Sequence, residues 1–167
     1  MVGEIEGVDE IMLKFRELGS PRKSKNAAVR SSRRAMNIVK KEAVARAKAL
    51  DDKDSTERIW KNIVVKAART RSPGFVVMRV GVKGGSRQYA KTKRNKKKGL
   101  AGQTYNVAGD KTNPGGDTWY WRLVELGTSH TAPNPFLRPA LYNNMDVVQE
   151  AFGESFNTEL DKEIAKL

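Results

Sequence analysis

Trp121-Arg122-Leu123-Val124-Glu125-Leu126-Gly127-Thr128-Ser129-His130, followed by Ala132-Pro133-Asn134-Pro135-Phe136-Leu137-Arg138-Pro139-Ala140-Leu141, is the stretch on which the reading of the fold turns. Its first part is apolar enough to be a regular element. Trp119 to Leu126 reads first as a strand, with a short helix using Trp119, Leu123 and Leu126 as the alternative. Gly127 permits a positive φ at the exit, and Thr128 and Ser129 can hydrogen-bond turn amides. Pro133 and Pro135 stiffen the approach to a helix that starts near Arg138-Pro139, where proline is tolerated in the first turn. Phe136 and Leu137 are expected to insert as anchors. Glu125 and Arg138 carry opposite charges on either side of the turn, which suggests a bidentate pair; a solvated Glu125 is the alternative.

Beyond this stretch, Leu141, Met145, Val148, Phe152, Phe156, Leu160 and Ile164 recur at helical spacing and predict one long final helix. Before it, the chain opens with a short arm or helix over residues 1–20, whose Val8, Ile11, Met12, Phe15 and Leu18 share a face. Gly19-Ser20-Pro21 ends that segment. A second helix runs from an N-cap at Ser24 to about Leu50, with Val29, Ser32, Met36, Val39, Ala43, Ala47 and Leu50 on its packing face. Arg30, Arg34, Lys41 and Lys48 form a stripe nearly opposite. Asp51-Asp52-Lys53-Asp54-Ser55 reads as a polar turn. Ile59, Ile63, Val64 and Val65, then Phe75 to Val82 after Arg71-Ser72-Pro73-Gly74, read as an antiparallel hairpin, with Val76, Met78, Val80 and Val82 on one face.

From Lys83 to Asp117 apolar periodicity nearly vanishes, and Lys91, Lys93, Arg94, Lys96, Lys97 and Lys98 fall within eight positions. Like charges this dense repel one another and predict an extended basic loop inserted in the fold, ordering on contact with a partner. The order helix, helix, hairpin, loop, strand, helix defines an α+β fold. It is expected as a single domain over residues 1–167, with an antiparallel sheet packed by a long N-terminal helix and a C-terminal helix.

The 167 residues carry 32 Lys and Arg against 19 Asp and Glu, a net charge of +13. Such an excess speaks of partners, not of fold: nucleic acid, an anionic membrane surface or acidic neighbouring subunits. No cysteine is present, which removes disulfides, thiol catalysis and cysteine-ligated metals. The opening Met1-Val2-Gly3-Glu4-Ile5-Glu6 has no basic region followed by an apolar one, so no secretory leader is expected. No apolar run approaches the ~18 residues that would suggest a bilayer span.

Catalytic constellations are not evident. His130 is the single histidine, without the nucleophile and carboxylate of a triad or the further ligands of a zinc site. Asp51, Asp52 and Asp54 lack the glycine and distal glutamate of a calcium loop. No Gly-Lys-Ser/Thr follows Gly84-Gly85 or Gly115-Gly116, so neither is a phosphate-binding loop. The reading is of a protein without a cofactor or metal, and not of an enzyme.

Two segments carry a resemblance. Val124-Glu125-Leu126-Gly127-Thr128 and Pro135-Phe136-Leu137-Arg138-Pro139-Ala140-Leu141 are similar, in order and spacing, to the family of tailed-bacteriophage morphogenesis proteins that act in head–tail joining, known as neck or tail-completion proteins. The basic, alanine-rich helix of residues 24–50 and the segment Thr56 to Val64 agree in position. The chain departs from the family's pattern at Ala49-Leu50-Asp51-Asp52 and Ser55-Thr56-Glu57, where an Ala-Pro and Thr-Gly turn is usual, and in its longer, more basic stretch from Lys83 to Asp117.

The resemblance implies a structural virion protein at the head–tail interface, assembled in the host cytoplasm. Copies would close by heterologous contacts into a ring, a hexamer by match with the tail's sixfold symmetry. Its partners would be head-completion or stopper proteins and the tail terminator or tail tube, with genome DNA passing non-specifically through the bore and no membrane involved. Glu125, Gly127, Thr128, Pro135, Phe136, Leu137, Arg138 and Pro139 are then assembly residues. Arg30, Arg34, Lys41, Lys48 and the cluster Lys91, Lys93, Arg94, Lys96, Lys97 and Lys98 would face DNA or acidic neighbours, a solvated surface being the alternative. The rival functions are a tail terminator ring capping the tail tube and a small basic nucleic-acid-binding protein.

Overall fold

The computed structural model describes residues 8–50, 55–68, 70, 74–107 and 113–167. The polar turn expected at Asp51 to Asp54 and most of the turn expected at Arg71 to Gly74 lie outside the described residues. The fold is α+β. Its elements are α1 (Val8–Leu18), α2 (Pro21–Leu50), a 3₁₀ turn (Ile59–Asn62), β1 (Ile63–Ala67), β2 (Met78–Val82), β3 (Gly85–Gln88), α3 (Lys93–Lys97), β4 (Thr104–Val107), α4 (Trp121–Leu126), α5 (Leu137–Tyr142) and α6 (Met145–Ile164). β1 pairs with β2, and β3 pairs antiparallel with β4, Gly85 opposite Val107 and Gln88 opposite Thr104.

The chain divides into two compact units, each drawn from separate stretches of sequence: residues 1–39, 65–79 and 144–167 in the first, residues 40–64 and 80–143 in the second. The first unit is built on α1, the front of α2 and α6. Leu18, Ala27 and Leu160 are buried there, with Ile11, Phe15, Phe156 and Ile164 packed against them. Phe156 is the aromatic centre, its ring 6.0 Å from Phe15 and stacked 5.4 Å from Phe152. A small apolar cavity of about 300 Å³ is lined by Ala35 and Met36 of α2, Met78 of β2 and Val148 and Phe152 of α6.

Ion pairs tie the same helices together. Lys14 of α1 reaches Asp161 at 2.8 Å. Arg30 of α2 pairs with Glu159 and, at 2.6 Å, with Glu163, while Arg34 lies 2.9 Å from Glu159. The hydrogen bond from Arg30 holds the Glu159 carboxyl below its ordinary value, against the upward push of burial, and the same bond raises the arginine.

α2 begins at Pro21, two residues after Gly19, which stands in the left-handed region. Ser24 is therefore inside the first turn, its hydroxyl donating back to the Ser20 carbonyl at 3.3 Å, and it is not the cap. Pro21 starts the helix because a first-turn position needs no backbone N–H. Ala27, Ser31, Ala35, Val39, Ala43 and Ala47 are all buried, a run at strict four-residue spacing. The expected face is right at Val39, Ala43 and Ala47; Val29, Ser32 and Met36 are half-buried flankers and Leu50 is exposed.

The hairpin expected from alternation is present as β1 and β2. Val76, Met78 and Val80 are half-buried while Phe75, Val77 and Arg79 face out. Three other expectations are corrected. Trp119 to Leu126 is not a strand: α4 forms, with Val124 N donating to Tyr120 O. Its inward positions are Trp121, Val124 and Glu125, while Trp119, Leu123 and Leu126, the face expected for a helix, are exposed. The final helix is two helices, because Asn144, at φ −124° and ψ 15°, leaves the helical path between α5 and α6; asparagine is a poor helix former whose side chain competes for the backbone. Leu141 and Met145, next to that break, are consequently exposed.

The third correction concerns Lys83 to Asp117. This stretch is no featureless loop: β3, α3 and β4 form a ribbon capped by a helical tip. Thr92 caps α3 by accepting from Asn95 N, and the Asn95 amide donates to Ala90 O at 2.8 Å. Asn95 O in turn accepts from Leu100 N, and Tyr89 and Gln103 close the neck through Tyr89 N to Gln103 O at 3.0 Å. Gly99 and Gly102, both at positive φ, let the chain turn back.

Candidate functional site

In the second unit, the two segments quoted at the outset meet at one carboxylate. α5 begins without a capping side chain of its own, since Phe136 occupies the cap position. A helix start leaves backbone N–H groups without intrahelical partners. Glu125, the buried residue of α4, supplies the acceptors: Oε2 takes Phe136 N at 2.7 Å and Leu137 N at 3.0 Å, and Oε1 takes Arg138 N at 3.1 Å. The side chain of Glu125 is only 5% exposed. The Arg138 Nε lies 3.5 Å from Oε1, so the expected pair exists, but as a long contact through Nε and not as a bidentate fork. The dominant partners are backbone donors, not the guanidinium.

The turn between α4 and α5 is fixed at each end. Gly127 stands at φ 75° and ψ 179°, and a Cβ there would lie 2.9 Å from both Pro133 N and Thr131 O. Thr128 Oγ1 accepts from His130 N at 3.2 Å and Thr131 N at 3.0 Å, while Thr128 N donates to Thr131 O. Asn134 N donates to Val124 O at 2.8 Å, drawing the proline segment back over α4. Phe136 is fully buried, as expected of an anchor; Leu137 and Pro139 are half-buried, and Pro135 and Arg138 are exposed. His130 is exposed.

A second polar hub in the same unit was not anticipated. Asn62, fully buried at the end of the 3₁₀ turn, donates to Gly116 O at 2.9 Å and to Thr118 Oγ1 at 2.8 Å, and accepts from Gly115 N at 2.9 Å. Its carbonyl accepts from Lys83 N, and Arg58 N donates to Gly115 O at 2.8 Å. A Cβ on Gly115 would sit 2.0 Å from Arg58 O, so the backbones touch where the glycine lies. One side chain thus fixes the return of the chain from the ribbon towards α4.

The basic residues singled out from sequence do not form one surface. Arg30 and Arg34 face α6 carboxylates within the first unit. Lys48 lies over the Trp60 ring, 4.5 Å from its centroid, in a cation–π contact, and Lys41 is exposed. Lys91, Lys93, Arg94, Lys96, Lys97 and Lys98 are all exposed around α3, and among the described residues none of them forms an ion pair. Among the described residues no group of three His, Cys, Asp or Glu side chains is placed to hold a metal. No described helix is long and apolar enough to cross a membrane.

Compared with family models, with curated proteins and with solved structures, the chain matches none.

Proposed function

We propose that the protein is a structural component of a tailed phage's head–tail connector, a neck or tail-completion ring that joins the DNA-filled head to the tail without performing catalysis. The observation that carries this reading is the Glu125 cap. The two segments that resemble the joining family are the two partners of one buried hydrogen-bonded joint, so their order and spacing have a physical reason. A stacked ring works by geometry, and a carboxylate holding three backbone donors keeps the α4–α5 turn in one shape.

The exposed apolar side chains around that joint support self-association. Trp119, Leu123, Leu126, Leu141 and Tyr142 are between 43% and 72% exposed. Such side chains gain by being covered when they are contiguous in an assembly. Copies associate into a closed ring, a hexamer, with head-completion and tail proteins on its two faces.

Electron micrographs of lysates from phage lacking this gene test the proposal. Filled heads and finished tails, present but separate, are expected. Joined, infectious particles without this polypeptide overturn it.

A further inference from the structure

We propose that the tip of the β3–β4 ribbon is a preformed, sequence-independent binding surface for duplex nucleic acid, which it holds by the phosphate backbone. The first observation is segregation of charge. From Arg58 to Gly109 the chain contains fourteen Lys and Arg and no Asp or Glu. Six of those cations, Lys91, Lys93, Arg94, Lys96, Lys97 and Lys98, crowd the tip and are exposed. Holding them together without local carboxylates is unfavourable unless an external polyanion relieves the repulsion.

The second observation is that the tip is built. The Thr92 cap, the two bonds made by Asn95 and the Gln103 side-chain amide donating to Gly99 O at 2.8 Å order the backbone from residue 89 to residue 103. The cations are therefore displayed on a defined support, which lessens the ordering required on binding.

The chemistry of the tip selects the partner. Between Tyr89 and Gln103 the larger apolar side chains are Tyr89 and Leu100, and both are half-buried. Protein–protein interfaces place aromatic and apolar anchors at their centre and are depleted in lysine, and membrane-surface helices need an apolar face to insert. The tip presents neither. Regularly spaced phosphates need only point charges, and lysine supplies them. Reading base edges would require amides or several guanidinium forks; the amide nitrogens of Asn95 and Gln103 are engaged within the tip, and Arg94 is the one guanidinium among its six cations, the other five being lysines. What remains binds any sequence. This inference does not depend on the connector reading, because the ribbon would hold a duplex in any setting.

The test is fluorescence anisotropy with the full-length protein and two duplexes of unrelated sequence, over a range of salt concentrations. In one variant Lys93, Arg94, Lys96, Lys97 and Lys98 are changed to Gln. In a charge-matched control Arg16, Arg22, Arg33, Lys66 and Arg79, all exposed, are changed to Gln. Thermal melting verifies that each remains folded. The wild type should bind both duplexes equally, and the tip variant should bind at least about tenfold more weakly with a salt slope shallower by roughly 3–4. The control should keep most of the wild-type affinity. Equal losses in the two variants would refute the proposal, since net charge alone would then account for binding. An unchanged affinity in the tip variant would do the same. So would tip-dependent binding to phosphatidylglycerol vesicles or to polyglutamate without tip-dependent binding to DNA.

Discussion

Glu125 accepts the backbone N–H of Phe136 at 2.7 Å, eleven residues along the chain and across a turn containing two prolines. With Leu137 N and Arg138 N, the carboxylate satisfies donors that the start of α5 would otherwise leave without partners. Glu125→Ala should destabilise the protein by about 2–3 kcal/mol, because buried donors lose a charged acceptor. Glu125→Gln should fall between wild type and alanine, since its amide offers one accepting oxygen and turns an NH₂ towards a remaining N–H. Urea unfolding measures both; an alanine variant as stable as wild type would show that water replaces the cap.

Gly127 sits in a backbone region that side chains avoid, with Thr131 O and Pro133 N where a methyl group would go. Gly127→Ala should lose about 2–3 kcal/mol from backbone strain and the clash together. Thr128→Ala, losing two hydrogen bonds at an exposed turn, should lose no more than about 1 kcal/mol. The ordering of the two melting temperatures is the check.

Asn62 is expected to be among the most sensitive positions. Asn62→Ala removes partners of Gly115, Gly116 and Thr118 at once, and a loss of about 3 kcal/mol is expected. Gly115→Ala approaches the same joint from the other side, where the added Cβ meets the Arg58 carbonyl. If the hub fixes the ribbon's return, hydrogen exchange at Lys83 and Gly115 should accelerate in Asn62→Ala while α6 stays protected.

Acid should loosen the α2–α6 ion pairs. The Glu159 carboxyl is held below the ordinary value of 4.5 by Arg30, so the unfolded chain takes up this proton more readily than the folded one. The stabilisation is fully present above that ordinary value and disappears as pH falls through the lower, folded value. Denaturant midpoints measured across this window should therefore fall less steeply for Glu159→Gln than for the wild type. Identical slopes would show that the pair contributes nothing to acid sensitivity. Arg30 and Arg34 are about half exposed, so salt should also weaken the effect.

How much of this was legible beforehand depends on distance along the chain. The positive φ of Gly127, the bonds to Thr128, the burial of Phe136 and the alternation of β2 are local, and composition at each position suffices to foresee them. Glu125 was read through its charge and matched with Arg138; its main partners are backbone groups, which no side-chain pattern displays. The missing signal was a helix start with Phe136, not Ser, Thr, Asp or Asn, at the cap. Such a start asks for an acceptor from elsewhere. Asn62 bonds to residues 53 to 56 positions away, and sequence spacing carries no trace of that. Arg30 and Arg34 are visible as a stripe, but their meeting with Glu159 and Glu163 is a tertiary event.

The lysine-rich stretch misled for a different reason. Its charge density argued for disorder, whereas Thr92, Asn95, Gly99 and Gly102 carry a local program of caps and reversals that the lysines masked. Asn143-Asn144 likewise marked the end of α5 in plain view, within an apolar periodicity that ran straight across it.

The hydrogen bonds that shape the ribbon's tip run between residues 89 and 103, whereas those that seat Lys83 and Gly115 come from Asn62, Arg58 and Thr118. Among the described residues the two sets share no partner. Lengthening, shortening or re-charging the tip is therefore a change that the rest of the second unit need not register, and the segment behaves as an exchangeable tool head on a fixed handle.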